Sequence, residues 1–415
     1  MKEFRTDKGK VRGFREVGYI GRSKPLKLSE IKTSSVGRIA SGIGELDRVL
    51  GGGFVPGEIV LLAGEPGVGK STLLLELGKL GRLGKLGEII YVSGEESPEQ
   101  IKTRAERLGI KGENMMILAE TNIEGVIREI GDIGEIGGNK IIVVDSVQTL
   151  WSEEIEGAPG SISQVKGCTQ MLVELAKKAG VIVILIGQIN KEGEIAGPMM
   201  LSHMVDCVLF LEGERFTELR LLRGLKNRFG PTDEVGVFKM TEKGMEEVEN
   251  PSEISLEGEK GEKEKVGAVT VCAMEGTRPM LLEIQALVTQ SSLPVPRRVV
   301  LGLDYNRVLL LIAVLQKVLH LPLYNQEIIV KVGGGFKISE PAADLGICLA
   351  ITSSLKNKPI NPKVCVFGEV GLLGEVRKVS GEEKRGKEAK KLGFTNIISS
   401  GTVKSLREAS NVLRS

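Results

Sequence analysis

The chain has 415 residues, 41% hydrophobic and 27% charged, which is the balance of a water-soluble globular protein long enough for two cores. No run of about 18 uncharged apolar residues occurs, and Met1-Lys2-Glu3-Phe4-Arg5 lacks the apolar stretch of a secretory signal, so no membrane partner is expected. The expected location is the cytoplasm, or an organelle matrix after loss of a transit peptide. Cys168, Cys207, Cys272, Cys348 and Cys365 form no C-x-x-C pair, and His203 and His320 are the sole histidines, so no zinc is expected.

The net charge of +2 is unevenly spread: residues 1–38 hold eleven Lys/Arg and four Asp/Glu, 11 − 4 = +7, leaving −5 for the remainder. The arm at 1–36 shows little periodicity, and it reads either as a nucleic-acid contact or as a solvated tail. From 37 to 249, apolar β-branched or leucine-rich runs at 59–63, 89–92, 115–118, 141–144, 181–186 and 208–211 alternate with helical stretches such as 71–79, 98–108 and 162–179. That rhythm predicts an α/β domain whose largely parallel sheet is buried on both faces. The charged stretch 250–266 reads as a linker. A second, α+β domain is expected over 267–415, with strands at 268–274, 280–288, 328–332 and 364–368 and helices at 307–319 and 343–354.

Chemistry concentrates in the first domain. Gly64-Glu65-Pro66-Gly67-Val68-Gly69-Lys70-Ser71 matches G-x-x-x-x-G-K-[ST] between a predicted strand and a predicted helix. In such a loop, backbone N–H groups at a helix N-terminus cradle the phosphates of ATP. Lys70 adds charge on the β and γ phosphates, Ser71 supplies a hydroxyl ligand to Mg²⁺, and Thr72 backs the loop. Ile141-Ile142-Val143-Val144-Asp145 ends an apolar strand in an acid, placing Asp145 to hold Mg²⁺ through water. After the strand at 89–92 come Glu95 and Glu96. Either could activate water as a general base, with Glu95 favoured and Glu96 as its neighbour; Ser97-Pro98 also makes a helix start there. Gln188, after another apolar strand, is either a γ-phosphate sensor or an ordinary surface amide.

Together these pieces resemble a known family. Ser41-Gly42-Ile43-Gly44-Glu45-Leu46-Asp47 and Gly51-Gly52-Gly53-Phe54-Val55-Pro56-Gly57-Glu58 look like the lead-in to the phosphate loop of RecA-like and KaiC-like ATPases. Ser93-Gly94-Glu95-Glu96-Ser97, His203-Met204-Val205-Asp206 and above all Lys226-Asn227-Arg228-Phe229-Gly230 narrow the resemblance to the RadA (Sms) family of bacterial DNA repair proteins, from about residue 33 to the end. The resemblance implies a hexameric, DNA-dependent ATPase. It would act with RecA in homologous recombination and drive branch migration, with single-stranded or branched DNA as partner. It further implies that Lys226 and Arg228 reach a neighbouring subunit's γ-phosphate. Channel-facing loops would carry the DNA, with Lys191 the better candidate because 153–163 is acidic. A KaiC-like regulatory ATPase without DNA translocation is the alternative. Family members usually begin with a four-cysteine zinc finger; no cysteine precedes Cys168, so that module is expected to be absent.

Residues 267–415 resemble the proteolytic domain of Lon, which uses a Ser–Lys dyad. Ala342 stands where the serine nucleophile belongs and Glu383 where the lysine belongs, so a silent protease fold is expected, serving as scaffold and DNA-binding surface. Arg297 and Arg298, after Pro294-Val295-Pro296, are candidate backbone contacts to DNA.

Overall fold

The computed structural model describes residues 27, 37–79, 86–132, 139–188, 198–213, 218–256 and 264–413. The basic arm apart from Lys27, part of the expected linker, and Lys191 lie outside the described residues. In chain order the first elements are α1 (Gly44–Leu50), β1 (Ile59–Gly64), α2 (Lys70–Glu76), β2 (Ile89–Ser93), α3 (Pro98–Arg107), β3 (Met115–Leu118), α4 (Ile123–Asp132), β4 (Ile141–Asp145), α5 (Ile162–Ala179) and β5 (Ile182–Gln188). After α6 (Pro198–Leu201) come β6 (Cys207–Glu212), β7 (Leu219–Asn227), β8 (Val235–Thr241) and β9 (Gly244–Glu247), then α7 (Pro251–Leu256).

The chain divides into two compact units. One takes the described part of Met1–Gly42 with Gly52–Ala63 and Leu74–Val208; the other takes Ile43–Gly51, Gly64–Leu73 and Leu209–Ser415. In the first, strands run in the order β3-β2-β4-β5-β1. β2 is parallel to β3 and β4, and β4 is parallel to β5. All six residues of β1 and the first four of β4 are buried, as the continuous apolar runs require of strands covered on both faces. Ile59, Leu61, Ile90, Val92, Ile142, Val144, Val183 and Leu185 form the core with Val165 and Leu172 of α5. Helix α3 starts where Ser97-Pro98 predicts it. The Ser97 side chain and Gln100 close a capping box and Pro98 opens the helix. This is the α/β order of a RecA-like phosphate-loop ATPase.

In the second unit β7 and β8 are antiparallel, as are β8 and β9, in the order β6-β7-β8-β9. Beyond them lie β10 (Ala268–Glu275), β11 (Arg278–Gln290), β12 (Arg298–Leu301), α8 (Tyr305–Val318), β13 (Gln326–Val332) and α9 (Asp344–Lys356). The chain continues with β14 (Val364–Val366), β15 (Glu369–Val370), β16 (Val376–Arg377), α10 (Glu382–Lys391), β17 (Asn396–Ile398) and α11 (Leu406–Ala409). A sheet ordered β12-β13-β11-β10-β14-β17 packs Val271, Leu282, Ile284 and Val330 against Leu311 and Leu315 of α8 and Leu345 and Leu349 of α9. The C-terminal part is therefore α+β, as expected. Helix α8 begins two residues ahead of the expected 307 because the Asp304 carboxylate accepts from the Arg307 N–H and caps it. The meander β7–β9 was not expected, because β7 is half-buried and carries Arg220, Arg223 and Lys226 among its leucines.

Candidate active site

The phosphate loop leaves the carboxyl end of β1 and runs into α2. Gly69 has φ +112, and a Cβ there would lie 2.6 Å from the methyl carbons of both Met240 and Met245. Only glycine fits, because β8 and β9 press against the back of the loop. Arg220 of β7 donates from Nε to the Val68 carbonyl oxygen at 3.0 Å, anchoring the same side. Burial lowers the pKa of this guanidinium. Lys70 is 6% exposed and donates to the carbonyl oxygens of Gly64 and Glu65 at 2.9 Å each, so its cation is held at the loop. Glu65, Pro66 and Gly67 are exposed, and a Cβ at Gly67 would meet nothing within 4 Å. The lip is open, and half-buried Ser71 and Thr72 follow the lysine at the helix start. An open nest, a held cation and a hydroxyl form the donor set that a magnesium nucleotide needs.

The acidic residues gather at the carboxyl ends of neighbouring strands. Ser93 of β2 is the register partner of Asp145 of β4, and the Gly94 N–H donates to the Asp145 carbonyl at 3.0 Å. The Tyr91 hydroxyl donates to Asp145 Oδ2 at 2.5 Å. Glu95 Oε1 accepts from Ser146 Oγ at 2.7 Å and from Gln188 Nε2 at 3.3 Å. Three strand ends thus converge on one carboxylate. Glu96 is placed differently: the Arg104 guanidinium of α3 pairs with its Oε1, and its backbone N–H donates to Ser93 Oγ at 3.1 Å. The pair of glutamates left open by the sequence therefore separates into one facing Ser146 and Gln188 and one tied to a helix.

Sequence reading missed Tyr91, Ser146 and Arg104. Tyr91 carried a signal, since a phenol inside an aliphatic strand needs a partner for its hydroxyl. Lys226 lies near the end of β7 and Arg228 just after it. Asn227 between them donates to the Leu50 carbonyl at 3.2 Å and accepts from the Phe229 N–H at 2.9 Å. Arg297 is exposed. Arg298 is half-buried, and its guanidinium donates to the carbonyl oxygens of Arg297, Leu323 and Gln326.

Comparison with known proteins follows the same lines. The family model described as ATPase: KaiC matches residues 39–258. The DNA repair protein RadA of Halalkalibacterium halodurans is 46% identical over 398 residues, covering 96% of this chain and 86% of that protein. RadA of Bacillus subtilis is 48% identical, covering 90% and 80% respectively, and RadA of Streptococcus pneumoniae is 48% identical, covering 91% and 88%. The chain belongs to the RadA family. The matched ATPase model and these relatives make it an ATPase of that family. The crystal structure of the RadB recombinase overlaps 51% of this chain at 29% identity with a TM-score of 0.39. Among the described residues no helix is long and apolar enough to cross a membrane.

Proposed function

We propose that this chain is a DNA-dependent ATPase of homologous recombination and repair. Its regions would be an ATPase domain over 37–249 and a linker over 250–266, followed by a non-proteolytic Lon-like domain over 267–415. It assembles as a hexamer, works with RecA, and uses hydrolysis to move the branch point of single-stranded or branched DNA intermediates. The observation that supports hydrolysis is the convergence of Ser146 and Gln188 on the Glu95 carboxylate beside Asp145.

In this reading the loop from Gly64 to Thr72 binds the phosphates of ATP, while Ser71 and Asp145 hold Mg²⁺. The metal, when bound, offsets charge on the β and γ phosphates. Tyr91 keeps Asp145 oriented. Glu95 takes a proton from water as its oxygen bonds to the γ-phosphorus, and the bond to the bridging oxygen breaks to leave ADP. Gln188 feels whether the γ-phosphate is present. Lys226 and Arg228 complete a neighbour's site, where a cation supplied in trans is worth about 10³–10⁵ in rate. DNA contacts fall to Lys191, the basic arm and Arg297, with Arg298 contributing less because its guanidinium is engaged with carbonyls. Such contacts go to phosphates and give affinity without sequence readout.

The test is ATP hydrolysis with and without single-stranded DNA at two salt concentrations. Stimulation that weakens as salt rises is expected. Hydrolysis indifferent to DNA at both salts would instead favour a KaiC-like regulatory ATPase, the second reading, which the match of 39–258 supports.

A further inference from the structure

The turn between β10 and β11, Glu275-Gly276-Thr277-Arg278, grips the elements around the β7–β8 loop. That loop follows Lys226 and contains Arg228. The Thr277 N–H donates to the Asp233 carbonyl oxygen at 2.9 Å, and the Thr277 hydroxyl donates to Glu234 Oε1. Gly276 has φ +60, and a Cβ added there would lie 1.7 Å from the Asp233 oxygen, so the two backbones meet directly. Glu275 accepts from Arg223 at 2.8 Å, and Arg223 also bonds Glu212 at 2.5 Å, fixing β7 three residues before Lys226. Arg278, nearly buried, pairs with Glu45 of α1 at 2.5 Å and donates to the carbonyls of Val248 and Glu249. Glu45 in turn accepts from the Val237 N–H of β8 at 2.9 Å. One four-residue turn therefore holds α1, β7 and the return strand of the loop.

We propose that the β10–β11 turn is a strut whose residues Thr277 and Arg278 position Lys226 and Arg228 for catalysis. The C-terminal sheet would thereby set the rate of hydrolysis without touching nucleotide. The inference rests on the reading that Lys226 and Arg228 act on a neighbour's γ-phosphate. Its physical basis is that catalytic geometry is unforgiving: a displacement of about 1 Å far from the chemistry can cost about 100-fold in rate. The turn bonds Asp233 and Glu234 at the base of the loop that carries Arg228.

The test uses the full chain with four variants: Thr277→Val, Thr277→Ser, Arg278→Ala and Arg228→Ala. Thr277→Val keeps the shape and removes the hydroxyl. Its kcat is expected to fall about tenfold, with KM and the affinity for a fluorescent ATP analogue unchanged. Thr277→Ser restores the rate. Arg278→Ala is expected to fall further, but Thr277→Val carries the decision because Arg278→Ala removes a buried partner and can lose the fold. Placed in the Arg228→Ala background, Thr277→Val has no further effect. A wild-type kcat in Thr277→Val, beside an inactive Arg228→Ala, overturns the strut and leaves the trans reading standing. A wild-type kcat in Arg228→Ala overturns both. Weakened analogue binding in Thr277→Val reduces the turn to a folding element and overturns the strut.

Discussion

The phosphate loop and the turn at 339–344 both lead into helices and both carry charge, yet they dispose of it in opposite ways. At the loop, Lys70 is held on backbone carbonyls while Glu65, Pro66 and Gly67 stay exposed, so the site opens toward a ligand. At 339–344, Glu340 gives both oxygens to Arg385, a fully buried residue of α10, and one of them also accepts from the Met274 N–H. Two residues past Ala342, Asp344 takes a bidentate bond from Arg307. Between the two ion pairs lies Ala342, a fully buried methyl group. The loop holds its cation on backbone beside an exposed lip; the turn at 339–344 matches its carboxylates with guanidinium groups.

The sharpest way to break this contrast is Arg385→Leu. It strands the Glu340 carboxylate, and removing one partner of a buried pair costs about 3–5 kcal/mol. Denaturant unfolding should show that loss, with much of it recovered in Arg385→Leu combined with Glu340→Leu, because two apolar groups need no partner. If Arg385→Leu unfolds at the wild-type midpoint, the pair is not structural. Next in size, Lys70→Ala should lower phosphate release by about 10²–10³, while the carbonyls it releases cost about 1–3 kcal/mol of unfolding free energy, less than Arg385→Leu. A large stability loss there would blur the distinction between the two turns.

A milder prediction concerns Glu58, at the entry to β1. It is buried, accepts from the Val55 N–H at 2.8 Å, and has a pKa raised by desolvation from 4.5 to about 7, with Asp206 adding to the rise. The unfolded chain loses this proton near 4.5, whereas the folded chain keeps it to about 7. Stability from this group therefore falls as pH rises through that window, by about 3 kcal/mol in all. Glu58→Gln should remove the decline and be the more stable form at pH 8. Parallel pH dependence in variant and wild type would mean that Glu58 is charged in the fold.

Legibility followed how each feature is built. The phosphate loop and Asp145 stood out because backbone geometry forces a fixed residue pattern and a strand ending in an acid has few other uses. The α/β rhythm was equally visible, since strands buried on both faces cannot avoid continuous apolar runs. Arg385 was invisible: it sits in Glu382-Glu383-Lys384-Arg385-Gly386-Lys387, which reads as a solvated helix face, and its burial depends on Glu340, 45 residues away. The meander β7–β9 escaped for a related reason. Arg223 looks like a surface charge until Glu212 and Glu275 are brought to it. Pairings across sequence distance leave no local trace, and charge-matched structural sites consist of little else.

The smallest expected effect tests the proposed Lon-like reading of residues 267–415 most directly. In that reading Ala342→Ser adds an oxygen at the position proposed for Lon's nucleophile. Ala342 is fully buried among Cys272, Leu281, Cys365 and Phe367, and its carbonyl is bound by the Gly368 N–H at 2.8 Å. Glu383, which the same reading puts at the place of the lysine, is exposed and pairs with Lys387 at 2.6 Å on its own helix. The new hydroxyl would then lack the lysine that takes its proton in a Ser–Lys dyad. Neither casein cleavage nor labelling by a fluorophosphonate probe should appear, and ATP hydrolysis should remain at the wild-type rate. Labelling of the variant would mean that a base already faces position 342, and the region would then resemble the phosphate loop more than its ion pairs indicate.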